Sequence, residues 1–91
     1  MSERVRKHVF VSGRVQNVWF RDACRQEARA RGVNGWVSNL SDGRVEAVFE
    51  GSAPDVDAMV RWCHDGPPRA RVSQVDVRDE LATGEAGFTI R

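Results

Sequence analysis

The chain reads as an α+β fold built from two interleaved strand–helix–strand units, an antiparallel sheet with both helices packed on one face. Three observations predict it. Two segments carry apolar residues at helical spacing, one near residues 22–31 and one opening at 51–55. Short runs of strand character flank each of them. A strong hairpin signal, Ser41-Asp42-Gly43, falls between the two units.

Residues 1–5 are polar and are expected to be loose. The first strand is placed at 7–13, around the apolar run Val9-Phe10-Val11. The following helix has Phe20, Ala23, Cys24 and Ala28 on one stripe, with Arg25, Glu27, Arg29 and Arg31 mostly on a solvated outer side. Gly32 ends it in the usual C-terminal manner. Asn34-Gly35 is read as a turn into strand two, 36–40.

Strand three spans 44–50, with Val45, Ala47 and Phe49 on one face and Glu46, Val48 and Glu50 on the other. The second helix opens with Pro54 at a favourable first-turn position. Asp55 and Asp57 sit at the positive end of its dipole. Val56, Met59, Val60 and Cys63 form its buried stripe, and Met59 and Trp62 are read as core or core margin. His64-Asp65-Gly66-Pro67-Pro68 breaks the chain. Strand four is placed at 71–78, with Val75 and Val77 on one face and Val72 on the other. After a loop at 81–87, Phe88-Thr89-Ile90 closes the chain as a short strand. The order is βαββαβ plus a C-terminal strand, the ferredoxin-like split βαβ sandwich. Strands one and three are expected in the centre, and the sheet face away from the helices is expected to be partly open.

With 91 residues, 41% of them apolar and 30% charged, one soluble domain over 1–91 is expected. A net charge of +1 gives no strong field toward nucleic acid or membrane. No basic-then-apolar leader and no bilayer-length apolar run is present, so a cytoplasmic location is expected. Lys7 is the single lysine among 14 basic residues. Cys24 and Cys63 fall in the two helices and are read as small core residues. No CxxC, HxxxH or close His/Cys/carboxylate cluster appears, so no metal site is expected.

The stretch that organises the chemistry is Val11-Ser12-Gly13-Arg14-Val15-Gln16-Asn17-Val18-Trp19-Phe20-Arg21. A strand–loop–helix junction gathers backbone N–H groups at the positive end of a helix, a geometry that binds anions and phosphate in particular. Arg21 would add a full charge and a planar fork. Taken alone, the stretch slightly favours an ordinary strand-to-helix turn with a solvated arginine, since single Gly-plus-Arg loops are common. Asn39, near the end of strand two, offers a carbonyl acceptor and an amide donor on one rigid plane. It could aim a water at bound phosphate, or it could be a turn residue before the hairpin.

Val11-x-Gly13-x-Val15-Gln16-x-Val18-x-Phe20-Arg21, followed by Gly35-Trp36-Val37-x-Asn39-x-x-x-Gly43-x-Val45 and then Gly51, resembles the acylphosphatase family. The resemblance covers nearly the whole chain, including the Gly66-Pro67 break and Phe88-x-Ile90. It implies metal- and cofactor-independent hydrolysis of acyl phosphates to a carboxylate and inorganic phosphate. It also implies that the amides of Val15, Gln16, Asn17, Val18, Trp19 and Phe20 cradle the phosphate. Arg21 would bind the phosphate and Asn39 would orient the attacking water. An acyl phosphate has a good carboxylate leaving group, so positioning and charge stabilisation can supply most of the rate.

Three positions depart from the family pattern. Asn17 stands where glycine is usual, and about 1 kcal/mol of local strain is expected there. Trp19 occupies a variable position often filled by something smaller. Ser38 replaces a residue that is usually larger.

Two rivals belong to other classes. Cys63-His64-Asp65-Gly66-Pro67-Pro68-Arg69 has the C-x5-R spacing of a tyrosine phosphatase loop. Two prolines remove amides from it, and the cysteine ends a helix instead of a strand, so the match is read as chance. A binding module on the same fold is the other rival, holding either RNA or an acyl or carbamoyl phosphate without turnover. The expected partners are therefore a small acyl phosphate and its phosphate product, with no nucleic acid or membrane, and a monomeric protein.

Overall fold

A computed structural model of the chain describes residues 3–91. The elements run β1 Arg4–Arg14, α1 Phe20–Ala30, β2 Asn34–Asn39, β3 Val45–Ser52, α2 Ala53–Asp65, β4 Arg71–Glu80 and β5 Phe88–Ile90. The sheet order is β4-β1-β3-β2-β5, with β1 and β3 central as the sequence predicts. Each helical crossover skips one strand, and the skipped strand belongs to the other unit. Loose residues at 1–5 are not what is found: Arg4 and Val5 already belong to β1, paired with Ser52 and Gly51, and residues 1 and 2 lie outside the described residues. The Arg4 side chain is held at Glu50, which gives this end of the strand a reason to be ordered.

The expected all-antiparallel sheet is in fact mixed. β5 lies parallel to β2, with Phe88 opposite Gly35 and Ile90 opposite Val37. The 81–87 loop carries the chain back across the sheet, so β5 arrives running the same way as β2. Arg29 in α1 donates to the Phe88 carbonyl at 3.0 Å and ties the strand down.

Two further readings are corrected by backbone geometry. Asn34 and Gly35 do not turn the chain; they begin β2. Gly35 has φ 139°, and a Cβ there would lie 1.8 Å from the Val48 carbonyl oxygen, so the glycine serves close strand approach. Val72 was expected on the opposite face of β4 from Val75 and Val77. The register between β1 and β4 shifts at Ser12/Gly13, where Ser12 pairs with Gln74 and Gly13 with Val72. Ser73 is thus a bulge, which returns Val72 to the face of Val75. Both pack on the core while Val77 is 40% exposed. Gly13 permits the bulge, since a Cβ would meet the Arg71 carbonyl oxygen at 2.2 Å.

The core lies between the helices and one sheet face. Val9 and Val11 of β1 and Val45, Ala47 and Phe49 of β3 meet Phe20, Cys24 and Ala28 of α1 and Val56, Met59 and Cys63 of α2. All are buried, at 0–2% exposure, so most of the hydrophobic stabilisation resides here. Both cysteines are free and buried. Burial raises both thiols, Cys63 to about 12, which makes them packing residues without nucleophilic character.

Candidate active site

The loop between β1 and α1 is short of hydrogen-bond acceptors. Among the described residues, no N–H from Val15 through Trp19 finds an intramolecular partner. Asn17 and Trp19 both have left-handed backbones, φ 61° and 67°. Such alternation turns neighbouring N–H groups toward one side and forms an anion-binding concavity. The strain expected at Asn17 is therefore present, and Trp19 adds a second strained residue that the sequence did not signal.

Trp19 is also the N-cap of α1, and no side chain caps the helix. The first-turn amides of α1 consequently remain free for an external acceptor. The helix begins at Phe20, two residues earlier than its periodicity predicts, so Arg21 projects from the first turn.

The side chains of this loop divide by task. Val15 and Val18 are buried at 1% and 3%, so only their backbones can serve a ligand. Gln16 turns away from the loop. Its Nε2 donates to the carbonyl oxygens of Leu40 at 2.7 Å and Arg44 at 2.9 Å. Gln16 thereby clamps the loop to the β2–β3 hairpin, a role that its spacing gave no hint of. Asn39, the last residue of β2, is adjacent to that hairpin and is set relative to the loop by the same clamp.

Asn17, Trp19, Phe20, Arg21 and Asn39 line one cleft of about 440 Å³. The structure thus brings together the two motifs, which stand 18 residues apart from Arg21 to Asn39. Arg21 is exposed and makes no ion pair or hydrogen bond among the described residues. The Asn39 Oδ1 is buried and has no hydrogen-bond partner. A buried acceptor without a donor is uncommon in native proteins and leaves a hydrogen bond that a bound water or ligand can supply. Asp22, Arg69 and Ile90 complete the lining. Sequence reasoning missed Arg69 and Ile90, because each reaches the cleft only through the tertiary fold.

The other chemical candidates end differently. Cys63 is fully buried in α2, so the C-x5-R spacing presents no thiol to the cleft. On the open sheet face, Phe10 already has the guanidinium carbons of Arg44 and Arg78 at 5.0 and 5.1 Å from its ring centre. Trp36 has Arg91 over it at 4.3 Å and is only 8% exposed. Of the two central-strand aromatics, Phe49 is buried in the core and Phe10 is covered by the protein's own arginines, which does not favour the RNA-binding reading. Among the described residues, no group of three His, Cys, Asp or Glu side chains is placed to hold a metal. Among the described residues, no helix is long and apolar enough to cross a membrane.

Comparison with known proteins agrees with this geometry. The family model described as Acylphosphatase matches residues 7–90. The chain is 62% identical to an acylphosphatase of Rubrobacter xylanophilus over 91 residues, covering 99% of this chain and 81% of the relative. It is 56% identical to one from Natronomonas pharaonis, covering 100% and 99% of the two chains. Among solved structures, an acylphosphatase from Coxiella burnetii superposes with a TM-score of 0.93 at 38% identity, covering 97% of this chain and 93% of that one.

Proposed function

This chain belongs to the acylphosphatase family and hydrolyses acyl phosphates, and on that premise we propose that its 15–20 loop and Arg21 hold the phosphoryl group while Asn39 aims the attacking water. The observation that carries the assignment of roles is the shared cleft. It brings unpartnered loop amides, an unpaired guanidinium and the orphan Asn39 Oδ1 into one place.

A dianionic phosphoryl group supplies acceptors to the amides and a counter-charge to Arg21. A water donates one proton to Asn39 Oδ1 as a hydrogen bond and turns its lone pair toward phosphorus. Its oxygen then forms the new P–O bond. The bridging oxygen departs with the acyl carbon as a carboxylate, taking the electron pair of the broken P–O bond. Both water protons finish on the phosphate, so that an acyl phosphate dianion and water give a carboxylate and dihydrogen phosphate. The leaving carboxylate is stable without protonation, so no general acid is required at the bridging oxygen. Arg21 and the amides lower the barrier where charge is redistributed on the phosphoryl oxygens.

We read residues 1–91 as one domain, monomeric and cytoplasmic, acting without a metal. Benzoyl phosphate hydrolysis in EDTA tests the roles. Wild type should turn over, and Arg21→Ala and Asn39→Ala should each lose on the order of a hundred- to a thousandfold in kcat. Full activity in either variant removes that residue from the mechanism. Binding without turnover by the wild type would instead mark a phosphate-binding module.

A further inference from the structure

The cleft is larger than a phosphoryl group requires, and its far wall is not neutral. At about 440 Å³ it falls in the range that takes a whole small ligand, roughly 300–1,000 Å³. Beyond Arg21 and Asn39, the lining includes the apolar side chains of Trp19 and Ile90 and a second guanidinium, that of Arg69. Trp19 is 68% exposed, an unusual state for a large aromatic residue, and its backbone is held left-handed. These residues share the cleft with the loop, so they are available to the acyl portion of a phosphate held there.

Arg69 is exposed and, like Arg21, has no ion pair or hydrogen bond among the described residues. Asp22, the one carboxylate in the lining, lies 3.5 Å from Arg25 and is partly neutralised by it. The turn that carries Arg69 is fixed against the anion loop. Gly66 donates its N–H to the Trp62 carbonyl at 2.8 Å, and Ala70 donates to the Pro67 carbonyl at 2.9 Å. A Cβ on Gly66 would come within 2.7 Å of the Phe20 ring, so this turn sits directly on the residue that begins α1. Phe20 in turn packs against Trp62 with the rings tilted by 60° and their centres 5.2 Å apart. Pro67 is buried, and two consecutive prolines restrict the backbone just before Arg69. The position of the second arginine is thus set relative to the first by direct packing.

We propose that Arg69 is a specificity-determining residue: it binds a negatively charged group on the acyl portion of the substrate, so that the enzyme favours acyl phosphates whose acyl chain ends in a carboxylate. This inference rests on the phosphoryl-binding role of the 15–20 loop and Arg21. The guanidinium is a planar donor suited to a carboxylate, and a charge-assisted pair in a partly enclosed cleft contributes selectivity that an apolar wall cannot.

The test compares succinyl phosphate with butyryl phosphate, two four-carbon acyl phosphates that differ in a terminal carboxylate. Wild type should show a higher kcat/KM for succinyl phosphate. Arg69→Gln should lower that value by about ten- to a hundredfold, chiefly through KM, and leave butyryl phosphate within about twofold. Arg69→Lys should restore part of the preference. Raised salt should erode the preference in wild type and have little effect in Arg69→Gln. An equal loss on both substrates would place Arg69 at the phosphoryl group and overturn the proposal. No change on either would also overturn it. Failure of the wild type to hydrolyse either substrate would count against the parent reading, a result distinct from both.

Discussion

Two loops in this molecule are built to hold an anion, and they differ in where the anion comes from. In the 81–87 loop the N–H groups of Thr83, Gly84 and Glu85 donate to the Glu50 carboxylate at 2.8–2.9 Å. Arg4 and Arg6 add guanidinium contacts at 3.0 and 3.4 Å. Glu50 projects from the central strand β3, is 0% exposed and is fully satisfied. In the 15–20 loop amides and one guanidinium, that of Arg21, offer the same kinds of donor, yet no described residue supplies the acceptor. The first cradle is closed by the protein itself and fixes the C-terminal loop on the sheet. The second is left incomplete, which costs stability and creates affinity for a ligand. On the proposed reading, one arrangement thus serves folding in one place and catalysis in the other.

The largest expected effects separate the two cradles by readout. Arg21→Ala should reduce kcat/KM for benzoyl phosphate on the order of a hundred- to a thousandfold, with an unchanged urea midpoint. Inorganic phosphate should raise the melting temperature of wild type and lose that effect in Arg21→Ala. A variant that loses stability as well as activity would mean that Arg21 is a structural residue, and the contrast would fail. Glu50→Gln should do the reverse. It removes the charge and replaces one acceptor oxygen with an NH2 group, so the donors on that oxygen lose their acceptor and a loss of about 3 kcal/mol is expected in urea unfolding at pH 7, with kcat retained under native conditions.

Acid should weaken the closed cradle. Burial alone would raise the Glu50 carboxyl, but the Thr83 N–H, the Arg4 guanidinium and the Gly84 and Glu85 N–H groups outweigh it. They hold the carboxyl at about 2, below its ordinary 4.5. A carboxyl depressed on folding stabilises the native state above pH 4.5, and that stabilisation is lost as pH falls through the interval down to about 2. Urea midpoints across this interval should fall in wild type and change much less in Glu50→Gln. Parallel curves would assign the acid sensitivity to other carboxylates.

Smaller effects sharpen the view of the open cradle. Asn39→Ala removes a buried acceptor that lacks a partner, so the ligand-free protein should gain about 1–2 kcal/mol even as hydrolysis is lost. A stability loss would show that Oδ1 already has a donor in solution. Asn17→Ala places a Cβ-bearing residue without a local polar side chain in the left-handed region and should cost about 1 kcal/mol in urea unfolding. No change would mean that the loop relaxes when the side chain is shortened.

Local chemistry in the sequence singled out the candidates of the open cradle, and the family resemblance assigned their roles. Arg21 lies at a strand–loop–helix junction, and Asn39 precedes a hairpin signal, so each could be picked out within a dozen residues. The left-handed backbone at Asn17 followed from its occupying a glycine position; the same backbone at Trp19 did not, since tryptophan carries no preference for it. The closed cradle was hidden because its parts are far apart. Glu50 meets amides 33 to 35 residues later, and in the sequence it looks like one more outward-facing acid on β3. Arg69 was legible only as the end of a coincidental cysteine motif. Its place in the cleft comes from the turn packing on Phe20, a contact between distant segments. The Ser73 bulge was missed for a related reason, since alternation assumes a regular ladder and Gly13 interrupts it from the neighbouring strand.

Cys24 and Cys63 lie fully inside the core, one on each helix. A thiol-specific dye can reach them only when a helix leaves the sheet, so their labelling rate counts the excursions of the native protein. The molecule therefore carries its own clock for opening, and no added label is required to read it.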